Sequence, residues 1–296
     1  MPHLHEEKIK ELELKANEIR TSLIESLIAA KSGHTAGPLG MADIFTAFYF
    51  HILNHDPKNP MMEDRDRLIL SNGHITPIRY ATMAHAGYFP VEELKTLRKF
   101  GTKLQGHPER VTFPALETTS GPLGSGLGQA AGMALGAKLD GKKFHVYCIM
   151  SDGEQDCGNI WESVMFAAKY RLNNLIAVMD RNNIQINGNT EDIMPLEPIR
   201  EKYEAFNWHV IECNAHEFED FVGAVEEAKA VLEKPTLILA HTIPGKGIPQ
   251  IEGDYRWHGC PPGDGPEDIF PKAKQGEEFL YILQEERKSI EESHVA

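Results

Sequence analysis

The stretch KFHVYCIMSDGEQDCGNIWES, residues 143–163, decides the fold class of this chain. Its apolar run ends abruptly at Ser-Asp-Gly, further acidic residues follow, and a segment with helical spacing comes next. One interpretation is a plain turn, because Asp-Gly is common turn chemistry. The other is that Asp152 holds a cation at the carboxyl end of a parallel strand, the edge at which open α/β sheets bind their ligands.

Apolar runs alternate with helical segments through the middle and C-terminal parts of the chain. VYCIM, LIAVM and TLILA are continuously apolar, as expected for strands covered on both faces. Strands separated by helices of about 10–15 residues predict a parallel sheet flanked by helices, which is an α/β fold. The predicted strands are 68–71, 144–150, 175–180, 209–213 and 236–240, and the helices between the later ones are 160–171, 196–206 and 217–233.

The other segments complete a single predicted domain over residues 1–296. Apolar residues at three- and four-residue spacing predict a long N-terminal helix over about 6–32, ended by Gly33, and a second helix over about 41–53. The Gly- and Pro-rich stretch 243–265 is predicted to be a functional loop, because long ordered loops are often functional. The segment over about 268–296 is predicted to be a charged helical tail exposed to solvent.

Composition limits the classes of function. The formal net charge of −14 argues against general nucleic-acid binding and against docking on anionic membranes. The four cysteines form no C-x-x-C pair, so the sequence suggests neither a zinc ribbon nor a disulfide framework. No run approaches the ~20 apolar residues of a membrane span, and the N-terminal residues lack the apolar region of a signal peptide. We therefore expect a cytoplasmic protein.

A run of glycines, SGPLGSGLGQAAGMALGAK, covers residues 120–138. Its first glycines would let backbone N–H groups approach a phosphate or an aromatic ring closely. Gly128, Gly132 and Gly136 are four residues apart, so they would let a helix pack tightly. The run lacks the G-x-x-x-x-G-K-[ST] pattern of a P-loop. Ligand binding and close helix packing therefore both remain open for it.

Two polar residues follow neighbouring predicted strands. Asp152 ends one strand, and Asn182 follows the next in LIAVMDRNNIQING. If the strands are parallel neighbours, the Asp oxygen, the Asn amide oxygen and a backbone carbonyl converge at one edge of the sheet. Such oxygen ligands, completed by phosphate oxygens, suit Mg²⁺ or Ca²⁺. Two unrelated turns are the alternative.

Histidines in Gly-containing loops form a third group of candidates. His34, His74, His107 and His258 stand in SGHTAG, SNGH, QGHPE and RWHGCP. They lack metal-ligand spacing, but histidines around a pocket suit proton transfer and hydrogen bonds to hydroxyls or phosphate. Lys246 in PGKG adds a positive charge for phosphate.

The order of these motifs resembles the N-terminal half of transketolase. SGH, GPLG, DRLILSNGH, GHPE, GPLGSGLGQA, SDG, DRNN and WHG follow one another from about residue 10 to about residue 265. The thiamine diphosphate signature of that family, G-D-G followed by N-N or D-N, reads S-D-G and R-N-N in this chain. The resemblance implies a thiamine diphosphate-binding fold and transfer of a two-carbon ketol unit between sugar phosphates, as in the pentose phosphate pathway.

Carried over position by position, the resemblance assigns roles in cofactor binding. It implies metal ligation by Asp152, Asn182 and the carbonyl of Ile184, with Mg²⁺ or Ca²⁺ as the ion. It also implies that Gly153 approaches the diphosphate, and that the backbones of Gly121 and Leu123 contact thiamine diphosphate.

The resemblance divides the histidines by role. His74 and His258 would line the diphosphate and the reacting carbon. His34 and His107 would hold the hydroxyls and carbonyl oxygen of the sugar. All four would be catalytic, and Lys246 resembles a basic residue near the cofactor in some members.

The resemblance covers only the first of three transketolase domains. It implies a split enzyme, in which a separate C-terminal subunit carries the pyrimidine-binding and C-terminal domains. The expected assembly is a heterotetramer with two copies of each subunit, and the single chain is expected to be inactive.

Three positions depart from the family pattern: Thr35 replaces a proline, Ser151 replaces the first glycine of G-D-G, and Cys157 replaces a glutamate. A thiol near a helix N-terminus is expected to have a lowered pKa. The loss of the glutamate leaves open a non-catalytic cofactor-binding or scaffolding paralogue. A subunit of a 2-oxo acid dehydrogenase would share the Asp and Asn ligands but is not expected to carry the four histidines.

Overall fold

A computed structural model describes residues 4–293 of the chain. Its centre is a five-stranded sheet in which every neighbouring pair is parallel, in the order β1-β2-β3-β7-β6. The strands are β1 (Arg67–Leu70), β2 (Val146–Ser151), β3 (Leu175–Arg181), β6 (His209–Asn214) and β7 (Thr236–His241), and a separate antiparallel pair is β4 (Ile184–Gln185) and β5 (Gly188–Asn189). The predicted α/β fold with a parallel sheet is confirmed.

Helices cover both faces of the sheet. They are α1 (Glu6–Ala30), α2 (Ala36–Gly40), α3 (Ala42–Ala47), α4 (Thr76–His85), α5 (Ser125–Leu139), α6 (Gly158–Lys169), α7 (Thr190–Ile193), α8 (Ile199–Ala205), α9 (Phe218–Ala230) and α10 (Gln275–Ser293). Consecutive strand residues point to opposite faces. Tyr147 and Ile149 therefore join one buried core, whereas Cys148 and Met150 join the other.

The register of the sheet brings the polar strand ends together. Ser151 at the end of β2 is level with Asp180 of β3, and the backbone N–H of Asp152 donates to the Asp180 carbonyl at 3.3 Å. β7 lies on the other side of β3, with Arg181 level with His241. The residues that follow β2, β3 and β7 consequently share one edge of the sheet.

The second helix differs from its prediction over 41–53. It begins earlier, at Ala36, is interrupted at Met41, and ends in the π-helical turn Phe48–Ile52. The first of these segments packs closely on the loop that follows β7, since a Cβ on Gly40 would lie 2.8 Å from the carbonyl oxygen of Ile243. The loop 243–265 thus packs directly against this helix.

The C-terminal segment is helical, but the prediction that it is a solvated end was wrong. Phe279 and Leu283 of α10 are fully buried, and the Phe279 ring lies 5.1 Å from that of Trp257. The amide of Asn17 in α1 donates to the Leu283 carbonyl at 3.0 Å. Charged side chains cover the outer face of α10, which is why its sequence reads as solvated. The predicted tail over 268–296 and the predicted domain over 1–296 extend beyond the described residues.

Gln275, the first residue of α10, joins this helix to the preceding loop. Its side-chain oxygen accepts hydrogen bonds from the backbone N–H groups of Gly263 and Gly265, at 2.9 and 3.2 Å. Its side-chain nitrogen donates to the carbonyls of Gly265, Pro266 and Phe270. One buried amide therefore fixes the loop that follows His258.

Within residues 4–293, no helix combines the length and the apolar character needed to cross a membrane.

Candidate active site

A cavity of about 370 Å³ opens at the carboxyl edge of the sheet. Nine of the residues predicted from the sequence line it, although they come from distant segments. They are His74, His107, Gly121, Leu123, Asp152, Gly153, Asn182, Ile184 and His258. The structure therefore brings most of the predicted site together, and two predicted residues, His34 and Lys246, do not line this cavity.

Asp152 lies where β2 ends and a single turn of 3₁₀ helix, Gly153–Asp156, begins. Its side chain is almost fully buried. One oxygen accepts from the backbone N–H of Gly153 at 2.7 Å, and the other accepts from the N–H of Asn183 at 2.7 Å and from Arg181 at 3.2 Å. Burial raises the pKa of Asp152 to about 6, against the opposing effect of these donors.

Asn182 is oriented by Asp180. The amide nitrogen of Asn182 donates to Asp180 Oδ2 at 2.9 Å, and the amide oxygen accepts from the backbone N–H of Ile184 at 3.0 Å. The other Asp180 oxygen accepts from the Thr242 hydroxyl. Burial, with the nearby Asp152 carboxylate, raises the pKa of Asp180 to about 7. The amide of Asn182 thus has one hydrogen-bonded orientation, set by this network.

The donor set of this edge fits a hard divalent cation. Asp152, Asn182 and Ile184 offer carboxylate, amide and backbone oxygens to one cavity, which is the chemistry that Mg²⁺ and Ca²⁺ prefer. No group of three or more His, Cys, Asp or Glu within residues 4–293 could hold a metal ion. The proposed ligands therefore include only one carboxylate, and water or the oxygens of a bound anion could complete the coordination of a cation at this place.

The histidines form a cluster on the other side of the cavity. The ring centroids of His34, His74 and His258 lie 5.0 to 5.6 Å from one another. Burial lowers the pKa of all three rings: that of His34 to about 4, and that of His74 well below its usual value. The Nδ1 atoms of His34 and His258 are buried and have no hydrogen-bond partner among the described residues. The cluster therefore presents neutral imidazoles with unused hydrogen-bonding capacity.

Two loops carry His34, which belongs to this cluster, and His107, which lies near it. His34 does not line the cavity, but the Thr35 hydroxyl beside it donates to the Cys260 carbonyl at 2.6 Å, which ties its loop to that of His258. The proline of the family pattern has no hydroxyl to make this bond, so Thr35 has a structural use of its own. The His107 side chain is exposed at the rim of the cavity. The partial burial of its ring, followed by the Arg98 charge, lowers its pKa.

The glycine run serves close packing at some positions and not at others. A Cβ on Gly124, whose φ is 82°, would clash with Asn159, and one on Gly126 would clash with Ser71. Gly132 and Gly136 have no neighbour within 4 Å of such a Cβ, so the expectation that they allow tight helix packing was wrong. Gly121 lines the cavity with open space beside it.

Sequence reasoning missed Glu154 as a structural centre of the site. This fully buried carboxylate accepts from the backbone N–H groups of Gly124 and Ser151, at 2.8 and 3.0 Å, and from the Ser71 hydroxyl. It thereby joins the glycine run to the ends of β1 and β2. Asp180 and Arg181 were missed as well. The sequence could have indicated both residues, because Asp180 and Arg181 directly precede Asn182, which was predicted as a ligand.

Lys246 lies apart from the other predicted site residues. It lines a separate cavity of about 250 Å³ together with Arg20, Asp43 and His216. The backbone explains this placement, because Gly245 has a φ of 85° and its N–H donates to the Ala36 carbonyl at 2.8 Å. The chain turns here against α2, and Lys246 does not line the candidate active site.

Cys157 departs from its expected chemistry. It precedes α6 but makes no side-chain capping bond, and it is partly buried. Burial and the carboxylates of Glu154 and Asp156 raise the pKa of its thiol. The expectation of a lowered pKa at a helix N-terminus was wrong, because burial, with the two neighbouring carboxylates, disfavours the thiolate.

The fold and the cavity define a thiamine diphosphate-binding class of protein. The family described as transketolase, thiamine diphosphate binding domain, matches residues 12–277, and the chain belongs to this family. The resemblance inferred from the sequence is confirmed.

Relatives narrow the assignment. The 6-deoxy-6-sulfo-D-fructose transketolase subunit of Clostridium sp. strain MSTE9 is 43% identical over 84% of this chain and 90% of its own length. An apulose-4-phosphate transketolase subunit of Phocaeicola vulgatus is 37% identical over 97% of this chain and 99% of its own. A solved transketolase from Campylobacter jejuni superposes with a TM-score of 0.80 at 31% identity, covering 95% of this chain but 48% of that one. The chain therefore corresponds to the thiamine diphosphate-binding subunit of a split transketolase.

Proposed function

We propose that the chain transfers a two-carbon ketol unit from a ketose to an aldose, together with a separate subunit that carries the pyrimidine-binding domain. The observation that carries this proposal is the cavity that joins oxygen donors at the ends of β2 and β3 to two half-buried histidines, His74 and His258. Thiamine diphosphate, when bound, supplies the nucleophilic carbon and the electron sink. The protein's part is to bind, to orient and to move protons.

The roles proposed for the site residues follow from their surroundings. Asp152, Asn182 and the Ile184 carbonyl would hold Mg²⁺, or Ca²⁺, against the diphosphate, with Gly153, Gly121 and Leu123 around the cofactor. His74 and His258 are neutral imidazoles beside the reacting end, so each can accept or donate a proton. His34 and His107 would hold the sugar's oxygen atoms, and His107 at the exposed rim is suited to the incoming substrate.

Exposed apolar side chains support a partner subunit. Leu123 and Ile186 line the cavity and are 40% and 67% exposed. Met165 and Phe166 of α6 are exposed as well, and so is Tyr170 directly after this helix. Apolar side chains grouped in this way favour an interface. We propose an assembly with two copies of each subunit, closed by two-fold symmetry.

The sugar substrates are open, because the two relatives are named for different sugars. We propose sugar phosphates as the substrates, a place in the pentose phosphate pathway or in a parallel sugar pathway, and a cytoplasmic location.

Reconstitution tests the proposal. The chain is purified alone and with a partner subunit, and ketol transfer is measured with thiamine diphosphate, Mg²⁺ and a panel of phosphorylated and sulfonated ketoses. We expect transfer only when both subunits and the cofactor are present. Robust transfer by the single chain would contradict the split arrangement. The matched control is Lys246→Ala, which lies outside the cavity and should retain activity.

Cys157 favours one competing function, a non-catalytic paralogue that binds the cofactor without turnover. A folded complex that binds thiamine diphosphate with Mg²⁺ but transfers no unit from any donor would support this alternative. Turnover with any donor rules it out.

A further inference from the structure

Arg181 is the last residue of β3 and lies against the candidate metal ligand Asp152. Both side chains are buried, with 5% of Arg181 and 1% of Asp152 exposed. Arg181 Nη1 lies 3.2 Å from Asp152 Oδ2. The charge and the hydrogen bond of Arg181 both lower the pKa of Asp152, against the larger effect of burial. The pair is therefore a buried ion pair at the centre of the candidate metal site.

The guanidinium of Arg181 is fixed from its other side. Nη1 also donates to the Thr190 hydroxyl at 3.0 Å, and Nη2 donates to Glu191 at 3.2 Å and to Glu197 at 2.8 Å. These carboxylates are themselves held, since Glu191 accepts from the Leu196 N–H and Glu197 from the Ile199 N–H. The position of Arg181 is thus determined by several independent contacts and does not depend on Asp152 alone.

We propose that Arg181 is a positioning residue that acts as an internal counter-cation for Asp152. Arg181 would hold the Asp152 carboxylate in place before the divalent cation binds. Its guanidinium would also neutralise the buried negative charge of Asp152 while no cation is present. The inference rests on the proposed function, because it takes Asp152 to be a metal ligand.

Two consequences follow from the charges. Without Arg181 the metal-free chain buries the Asp152 carboxylate without its ion-pair partner, and breaking a buried ion pair in this way is strongly destabilising. A divalent cation would restore the missing positive charge, so a chain without Arg181 should gain more stability from Mg²⁺ than the wild type gains. A purely structural role for Arg181 would lower stability equally with and without the cation.

Thermal unfolding of the full chain tests this proposal. Arg181→Met, Asp152→Asn and the double variant are compared with the wild type in a chelator and in saturating Mg²⁺ with thiamine diphosphate. In the chelator we expect Arg181→Met to lower the midpoint by roughly 10 °C. The same change in the Asp152→Asn background should cost less than about half of that, since the two residues are coupled. Mg²⁺ with the cofactor should recover part of the loss only where Asp152 is present, and Arg181→Lys should be intermediate.

Arg65→Met is the matched control. Arg65 forms a buried ion pair with Glu117, with Nη2 at 3.0 Å from Oε2, and neither residue lines the cavity. This variant should lose stability equally in both conditions. Equal losses for Arg181→Met in both conditions, or a loss that Asp152→Asn leaves unchanged, would overturn the inference. A wild type that gains nothing from Mg²⁺ and cofactor would overturn the proposed metal site instead, and the coupling in the chelator would then decide alone whether Arg181 positions Asp152.

Discussion

The two ends of the cavity use hydrogen bonds in opposite ways. At the carboxylate end, formed by Asp152, Asp180 and Asn182, each side-chain oxygen and nitrogen has a partner within the chain. At the histidine end, His74 and His258 line the cavity and the His34 ring packs against theirs. The buried Nδ1 atoms of His34 and His258 have no hydrogen-bond partner among the described residues. Under the proposed function, the first end would be organised in advance for one fixed ion, whereas the second would retain donors and acceptors for a ligand that changes during a reaction.

The largest expected effect would come from the carboxylate end. Asp152→Ala removes a direct ligand, so Mg²⁺-dependent binding of thiamine diphosphate should weaken by more than about 100-fold, beyond the usual effect of outer-sphere partners. Asp156→Ala is the control, because Asp156 is exposed and accepts only a 3.3 Å bond from Gln185. Calorimetric titration of cofactor in Mg²⁺ measures both. Equal losses in the two variants would mean that the ligand is misplaced.

Substitutions at the histidine end should affect turnover and leave the metal site unchanged. His258→Asn and His74→Asn should each lower kcat of the reconstituted complex by about 100-fold or more, since proton transfer is lost. His107→Asn should chiefly raise KM, by about tenfold, with kcat little changed. Steady-state kinetics separates these outcomes, and Mg²⁺ binding in the same variants should match the wild type. Wild-type kinetics in all three variants would refute the assignment of the pocket.

The pH dependence of stability should reveal the buried histidines. The pKa of His34 is about 4 in the folded chain, against an ordinary value of 6.5. Between these two pH values, His34 binds more protons in the unfolded chain than in the folded chain. The free energy of unfolding is therefore unaffected by this histidine above pH 6.5 and decreases as the pH falls toward 4. His34→Gln should therefore reduce the stability loss between about pH 7 and pH 5 by about 2 kcal/mol.

Chemical denaturation at several pH values measures this difference. The raised pKa values of Asp152 and Asp180 act in the opposite direction, but they are present in both proteins and cancel in the comparison. A variant whose stability falls as steeply as that of the wild type would show that His34 is not the buried group responsible.

The smallest effect is expected at Cys157, which belongs to neither end. A glutamate at this position would share a proton with a neighbouring carboxylate and tune its pKa. Cys157→Glu should speed proton exchange at the cofactor's reactive carbon in the assembled complex by about threefold to tenfold. Cys157→Ser is the control and should not change it. An unchanged rate in a folded Cys157→Glu complex would show that this protein activates the cofactor by another route.

Much of the fold was predictable because its signals are local. All five strands of the parallel sheet were predicted, three of them (β2, β3 and β7) from continuous apolar runs, and three- and four-residue spacing identified α1. The strand order β1-β2-β3-β7-β6 was not predictable, since it depends on contacts between distant segments. The contact of Gly40 with the Ile243 carbonyl was not predictable for the same reason, because the two residues are far apart along the chain.

The residues of the candidate site likewise divide into those that local sequence predicts and those that depend on distant contacts. Asp152 and Asn182 were predictable from their positions after two strands, and the histidines from their glycine-containing loops. Glu154 reads as a turn residue in the sequence, and only its bonds to Gly124 and Ser71 show its role. The position of Lys246 outside the cavity was not predictable, since a charge in a glycine-rich motif does not reveal which way the turn at Gly245 directs it.

Gln275 connects the C-terminal helix α10 to the loop that follows His258. Its amide holds the loop at Gly263 and Gly265, a few residues beyond His258, and Trp257 packs on Phe279 of the same helix. A load applied along α10 is therefore transmitted to the His258 loop through side chains, without passing through the sheet. A tag, a fusion partner or a surface tether joined rigidly to this helix would strain that loop, and a flexible linker would relieve it.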